Sequence, residues 1–252
     1  MSVQVSRDDV IAFRLRAHHL AGRLDQGGLL DAVGACGIQN SPPGSALLAL
    51  HARAQSVSQE KVDEAVADDK SLMQSWCMRG SPFYFSTRDA PVFTTGVLPP
   101  TEDAMRQFIR GAGSSVDKLD LSLTDAVDLT KAEVGTVLAG RCLAIDKLGA
   151  DIAERIADTL PAEQRRLWNQ EGPHAAGQPL GEAIVHFCTR ILTLQGVVCF
   201  APRRTTRPRS CWSRSGWASR SRTSTRRRRG PTCCAATYTA TARRPKPTSR
   251  PG

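Results

Sequence analysis

Ser71-Leu72-Met73-Gln74-Ser75-Trp76-Cys77-Met78-Arg79-Gly80-Ser81-Pro82-Phe83-Tyr84-Phe85-Ser86-Thr87 is the stretch on which the fold turns. Leu72, Trp76 and Met78 share one face of an extended segment, the alternation of a half-buried strand. Arg79-Gly80-Ser81-Pro82 is turn chemistry, and Phe83 to Thr87 returns as a second strand rich in aromatics. The segment predicts a β-hairpin.

The sequence before it reads as helix. Ser6 caps a first helix, with Asp8 and Asp9 in its opening turn and Val10, Phe13, Ala17, Leu20 and Leu24 along one stripe, ended by Gly27-Gly28. A second helix spans about 29–36. Pro42-Pro43-Gly44 breaks the chain before a third over 45–54, and Ser58 caps a fourth through Ala67. Short helices followed by one hairpin are the order of a winged helix. The order repeats loosely beyond residue 100. Thr101 caps a helix over 102–110, and Thr130-Lys131-Ala132-Glu133 reads as a capping box opening one over 130–139. Helices over 151–159 and 181–194 follow, with Pro161 suited to a first turn. Val197-Val198-Cys199-Phe200 is an apolar strand. The expected fold class is mainly α with small β-hairpins (α+β): one winged-helix unit over 1–100, a second with an incomplete wing over 101–202, and a disordered basic tail over 203–252.

The tail has a composition of its own. Residues 203–252 contain no Leu, Ile, Val, Phe, Met, Asp, Glu, Asn, Gln or His. They are Arg, Ser, Thr, Pro, Ala, Gly, Cys and Trp, with Tyr238 and Lys246 besides. These residue types are what a GC-rich gene yields when read out of frame. Read backwards, Cys211, Trp212 and Ser213 imply three originally apolar residues, the missing partner strand of the second hairpin. The tail is thus expected to be a frameshift product of a longer gene, leaving the strand at 197–200 with an unpaired edge.

Charge follows the same division. Residues 1–202 carry 19 basic and 24 acidic side chains, a formal −5, whereas the tail carries 15 basic and no acidic ones, producing the overall +10. The basic balance that ordinarily suggests nucleic acid therefore sits in the tail. There it supports only loose attachment to phosphates through counterion release.

Several classes are excluded or disfavoured. No apolar run approaches the ~20 residues that span a bilayer, and no basic-then-apolar leader opens the chain. The five body cysteines (Cys36, Cys77, Cys142, Cys188, Cys199) have apolar neighbours and no CxxC pairing, which predicts buried thiols in a reducing cytoplasm. No GxGxxG, Walker loop or HExxH motif occurs, so neither a metal nor a small-molecule cofactor is expected. His18 and His19 are adjacent and point apart on a helix, which suits a structural or surface role.

Four stretches together carry a family resemblance: Gly37-Ile38-Gln39-Asn40-Ser41-Pro42-Pro43-Gly44, Leu47-Leu48-Ala49-Leu50-His51-Ala52-Arg53, Ser75-Trp76-Cys77-Met78-Arg79-Gly80-Ser81-Pro82 and Gly196-Val197-Val198-Cys199-Phe200-Ala201-Pro202. In order and spacing they resemble the actinobacterial winged-helix DNA-binding proteins related to the DNA glycosylases that unhook crosslinked or alkylated purines. The resemblance covers about residues 6–202. It implies consecutive winged-helix units forming a concave surface toward duplex DNA, in members considerably longer than this chain. It also implies a catalytic motif of Gln, any residue, then Gln or Asp near the end of an N-terminal helix, positioning the water that attacks the sugar carbon. Gln39 stands at the first place and Ser41 at the second, where a hydroxyl replaces the longer amide or carboxylate. Phe83 stands where the family commonly has a histidine after Arg-Gly-x-x.

Each candidate has a plainer reading beside it. Gln39 serves catalysis or satisfies turn amides. Arg79 meets a phosphate, as wing residues do, or is simply solvated. Arg53, and Arg165 with Arg166 beside Trp168, are further candidate DNA contacts or ordinary helix-end charges. Trp76 and Phe83 read as hairpin core. The expected function is DNA binding by a glycosylase-like protein with weak or absent catalysis. The alternatives are an active glycosylase on alkylated or crosslinked purines, a transcription-regulator-type module, and a nonfunctional truncated product. Restoring a neighbouring reading frame after codon 202 is expected to give an apolar strand, then acidic residues, then a long run of mixed composition. Stop codons within a few codons in both other frames would refute the frameshift.

Overall fold

The computed structural model describes residues 4–34 and 36–201 and the backbone of 211–214; the rest of the tail lies outside the described residues. Eleven α-helices and six strands are assigned there. They are α1 (Arg7–Ala17), α2 (Leu29–Gly34), β1 (Ile38–Gln39), α3 (Ser45–His51), α4 (Gln59–Ala67), β2 (Leu72–Trp76), β3 (Pro82–Ser86), α5 (Ala90–Phe93), α6 (Glu102–Phe108), α7 (Gly113–Asp117), α8 (Leu123–Val137), β4 (Leu143–Ala144), α9 (Ile145–Ala157), α10 (Ala162–Trp168), α11 (Leu180–Leu194), β5 (Val198–Ala201) and β6 (Cys211–Arg214). The expected class, mainly helical with a small antiparallel sheet, is what the chain adopts.

The hairpin forms where the alternation places it. β2 and β3 pair antiparallel with Gln74 opposite Tyr84 and Trp76 opposite Pro82. Their turn is closed by the Cys77 amide donating to Ser81 O at 3.0 Å, with Arg79 and Gly80 both at positive φ. Ser58 caps α4 through the Lys61 amide, and Thr101 caps α6 through the Ala104 amide, as their positions predict.

Three helix boundaries differ markedly from expectation: α9 begins at Ile145, six residues before Asp151, and the other two have visible causes. The first helix stops at Ala17 rather than at Gly27-Gly28. His19 adopts φ 53°, and the Leu20 amide donates to Leu15 O at 2.8 Å while the His19 amide donates to Arg16 O at 3.0 Å. That is a Schellman C-cap with histidine in the left-handed position usually given to glycine. α8 begins seven residues before the presumed capping box, at Ser122-Leu123-Thr124-Asp125. There the Ser122 hydroxyl accepts from the Asp125 amide at 2.9 Å. Thr130 is instead a fully buried residue inside α8, its hydroxyl donating to Ala126 O, and Glu133 pairs with Arg155.

The second difference concerns connectivity. The hairpins do not stay in separate units: all six strands form one sheet of order β1-β3-β2-β5-β6-β4. β2 meets β5 at Gln74 opposite Phe200. β5 also pairs with β6, Ala201 opposite Cys211 and Val198 opposite Arg214. The expectation of an unpaired edge on this strand is therefore wrong. The backbone of Cys211–Arg214 itself fills the partner position, within a stretch expected to be irregular.

Helices α8, α9 and α11 pack the largest core, with Ile152, Ile156, Ile184 and Ile191 sealed inside. Trp168 joins it, its indole N–H donating to Ala153 O at 2.9 Å, and only a glycine at 181 leaves room for that ring: a Cβ there would lie 2.0 Å from it. A smaller core under the first hairpin gathers Ala32, Val33, Ile38, Leu50, Val62 and Leu72. Between them, Phe85 stacks on Phe93 at 4.8 Å beside Cys77 and Leu194. α1 stands outside all three. None of its residues is buried, and Phe13 is 71% exposed. Its stability rests on the reciprocal Ser6–Asp9 capping box. We expect Phe85→Ala to cost about 3–5 kcal/mol and Phe13→Ala under about 0.5 kcal/mol. Denaturant unfolding of the two variants measures this; equal losses would contradict the assignment of the core.

Candidate nucleic-acid interface

The turn from β1 into α3 is built from alternation. Gly37 enters it at φ 71°, a left-handed conformation that disfavours any larger residue, and a Cβ there would press on the Phe93 ring at 3.1 Å. Ile38 pairs with Tyr84 and points into the core; Gln39 pairs with Phe83 and points out. Asn40 turns in again and is 4% exposed. Its amide donates to Pro82 O at 2.8 Å, and its side-chain oxygen accepts from the Gly44 amide at 2.8 Å and the Ala46 amide at 3.3 Å. Ser41 is exposed once more. Gln39 and Ser41 thus flank a buried Asn40 and both face solvent, beside a shallow pocket lined by Asn40, Gly44, Leu47, Gln59 and Tyr84.

This answers the alternative for Gln39. The turn amides are satisfied by Asn40, and Gln39 contributes only its backbone carbonyl, which accepts from the Ser45 hydroxyl at 3.4 Å. Its side-chain amide makes no hydrogen bond among the described residues. An amide and a hydroxyl can orient a water by hydrogen bonding; neither is a base at neutral pH. The motif sits on a strand and its exit turn rather than at a helix end.

The sheet register decides which other candidates join them. With Gln39 opposite Phe83 and Asn40 bonded to Pro82, β1 runs toward the turn that carries Arg79. Gln39, Ser41 and the exposed Arg79 therefore gather at one end of the sheet. Arg53 is half-buried and occupied: its Nη1 donates to Ala49 O at 2.8 Å, closing the C-terminal turn of α3. Arg165 is exposed and donates to Asp158 O at 2.8 Å, and Arg166 is exposed beside it. Both stand on α10, which packs on α11, and among the described residues no hydrogen bond or ion pair joins that helix to the β1–α3 turn. Phe83 is buried, and Trp76 meets Phe200 edge-on at 5.3 Å, as hairpin core residues should.

The thiols divide. Burial pushes Cys77 up to about 11 and Cys188 up to about 12, which makes both inert. Cys36 is exposed, contrary to the expectation of uniformly buried cysteines, and its Sγ lies 3.5 Å from His18 Nδ1. Among the described residues no three His, Cys, Asp or Glu side chains are arranged to hold a metal ion, and no helix is long and apolar enough to cross a membrane.

A family model described as DNA glycosylase AlkZ-like matches residues 32–244. Among solved structures, the chain is similar to the Streptomyces sahachiroi DNA glycosylase AlkZ. The two are 24% identical, with a TM-score of 0.55 over 84% of this chain and 50% of that one, a likeness of fold. The chain thus spans about half the length of that protein. No curated protein matches it.

Asn40 is the residue that the sequence did not single out. Its signal was an Asn two residues before Pro-Pro-Gly, where a short side chain hydrogen-bonds the amides that follow. We expect Asn40→Ala to lower stability by about 1–2 kcal/mol, with Gln39→Ala and Ser41→Ala each within about 0.5 kcal/mol of the parent. Thermal unfolding compares the three; a large loss for Gln39→Ala would return that side chain to a structural role.

Proposed function

Because this chain belongs to the DNA glycosylase AlkZ-like family, we propose that it binds duplex DNA with the sheet end bearing Gln39, Ser41 and Arg79, and excises bases slowly or not at all. The observation that carries this reading is the solvent-facing placement of Gln39 and Ser41 on either side of a buried Asn40. Strand alternation alone accounts for their exposure; what favours a site is that these two polar side chains occupy the positions of the motif that the resemblance implies. The helices and hairpins over 1–100 and 101–202 are, in this reading, tandem winged-helix units fused through their sheets.

The limit on catalysis comes from chemistry. Hydrolysis of an N-glycosidic bond needs a water held against the sugar carbon while the base departs, and a base nearby speeds proton removal. Gln39 can hold one side of that water. Ser41 is shorter than the Gln or Asp that the resemblance implies and carries no basic group. Phe83 is buried core where that resemblance places an imidazole. Binding also has to come from a local surface, because residues 1–202 carry a formal −5. Affinity for duplex is then expected near the non-specific level of roughly 10⁻⁴–10⁻⁶ M, tightening at low salt through the tail.

The frameshift reading of 203–252 also stands as a proposal. β6 occupies the strand position read back from Cys211 to Ser213, which agrees with it, whereas the family match runs on to residue 244 and so weighs toward an in-frame tail. The gene sequence beyond codon 202 tests it directly.

Release of an alkylated purine from duplex DNA is the functional test. The unaltered chain is expected to show little or none. Ser41→Gln or Ser41→Asp is expected to raise release by roughly tenfold or more, within the range that positioned acid–base groups contribute. Robust release by the unaltered chain, abolished by Gln39→Ala, would make it an active glycosylase.

A further inference from the structure

The outer face of α3 is apolar where a surface helix is usually charged. Ala46 and Leu50 seal the inner side of this helix at 2% and 0% exposure. At about 100° per residue, the position directly opposite that pair is Leu48. It is 75% exposed, more than any other large apolar side chain among the described residues, and His51 and Ala52 flank it in solvent. An amphipathic helix ordinarily places a charged or polar side chain at that pole. Singly exposed leucines are common on protein surfaces; what sets this one apart is what surrounds it.

Leu48 stands over the turn that holds Gln39 and Ser41. The Ser45 hydroxyl, at the start of α3, donates to Gln39 O at 3.4 Å, and Ser41, Pro42, Pro43 and Gly44 are all exposed. A helical side chain leans over the turn N-terminal to its own Cα, so Leu48 projects toward Gly44 and Ser45. One helical turn, about 5 Å, separates its backbone from that exit turn. The charge pattern suits a polyanion at this place. Residues 32–59 contain no Asp or Glu, the longest such stretch within residues 1–202, which carry 24 of them. Residues 71–88, which include the paired hairpin and Arg79, contain none either.

We propose that Leu48 is an apolar wedge: it enters the base stack of a bound duplex beside the nucleotide that faces Gln39 and Ser41, and holds that nucleotide unstacked. Chemistry on a base within a duplex requires its nucleotide to leave the stack, and proteins lever base steps apart with leucine and similar apolar side chains. The inference rests on the DNA-binding reading above. It adds what the hydrogen-bonding side chains of Gln39 and Ser41 cannot supply, an apolar body that takes over the contacts a displaced base gives up. Unstacking precedes hydrolysis, so the role holds equally for a chain that binds and does not excise.

The test uses the full chain and a short duplex carrying 2-aminopurine at several positions, whose fluorescence rises when the base unstacks. Anisotropy of a fluorescein-labelled copy of the duplex reports binding separately. At saturating unaltered chain, the 2-aminopurine signal is expected to rise at least about twofold. Leu48→Ala and Leu48→Gln change an exposed position and leave the fold intact. Both are expected to remove most of the rise and to weaken binding by roughly threefold to tenfold. The slope of log affinity against log salt should stay the same, because no charge is removed. Leu48→Met, similar in volume and apolar, is expected to keep the rise. A rise that persists in both Leu48→Ala and Leu48→Gln, or its absence with the unaltered chain fully bound, would overturn the inference while leaving DNA binding intact. No duplex binding by the unaltered chain at any salt would overturn both. Substitutions that alter only the self-association of the DNA-free chain would assign Leu48 to a protein contact and likewise overturn the wedge.

Discussion

The pairing of β2 with β5 holds the molecule together. It is a short junction, Gln74 opposite Phe200, yet it turns two hairpins separated by more than a hundred residues into one sheet. Trp76 closes edge-on against Phe200, and the Thr193 hydroxyl donates to Trp76 O at 3.3 Å. Leu194 at the end of α11 joins the aromatic cluster of Phe83, Phe85 and Phe93. Without that junction each hairpin would expose an apolar strand edge, and the two helical cores would have only loops between them.

The same junction shapes the candidate interface. Because β1 is an edge strand of the joined sheet, its period of two puts Gln39 and Ser41 outside and Ile38 and Asn40 inside. Because β2 is central, Trp76 lies between the hairpin turn and α11, within reach of Arg190. Residues 39, 41 and 79 thus come to one end of one sheet, from β1, its exit turn and the hairpin turn. What this end lacks is as informative as what it holds. In the proposed reading, Ser41 offers a hydroxyl where the resemblance implies a longer polar group, which would impair hydrolysis more than binding.

Local patterns were legible in the sequence and long-range ones were not. The first hairpin, the Ser58 and Thr101 caps and α11 depend on residues within one or two turns of each other, and the sequence contains them all. The true end of α1 was hidden because histidine occupies a position that glycine usually marks. The start of α8 was missed because two Ser/Thr-x-x-acid patterns compete, and only burial of Thr130 selects the earlier one. The β2–β5 junction has no local signature; it pays off only once both hairpins exist. For the candidate site, the sequence nominates Gln39, Ser41 and Arg79 from motif and turn. Asn40 is not among them, since its importance lies in its burial and in the backbone amides that it bonds.

The central claim is that duplex DNA meets this protein at the sheet end and not merely at the basic tail. Hydrogen exchange of the full chain, with and without a saturating duplex at moderate salt, tests it most directly. Slowed exchange at 38–45 and 76–82, with little change in α9 and the buried face of α11, is the result this account requires. Slowed exchange confined to 203–252, with the sheet end unaffected, would contradict it.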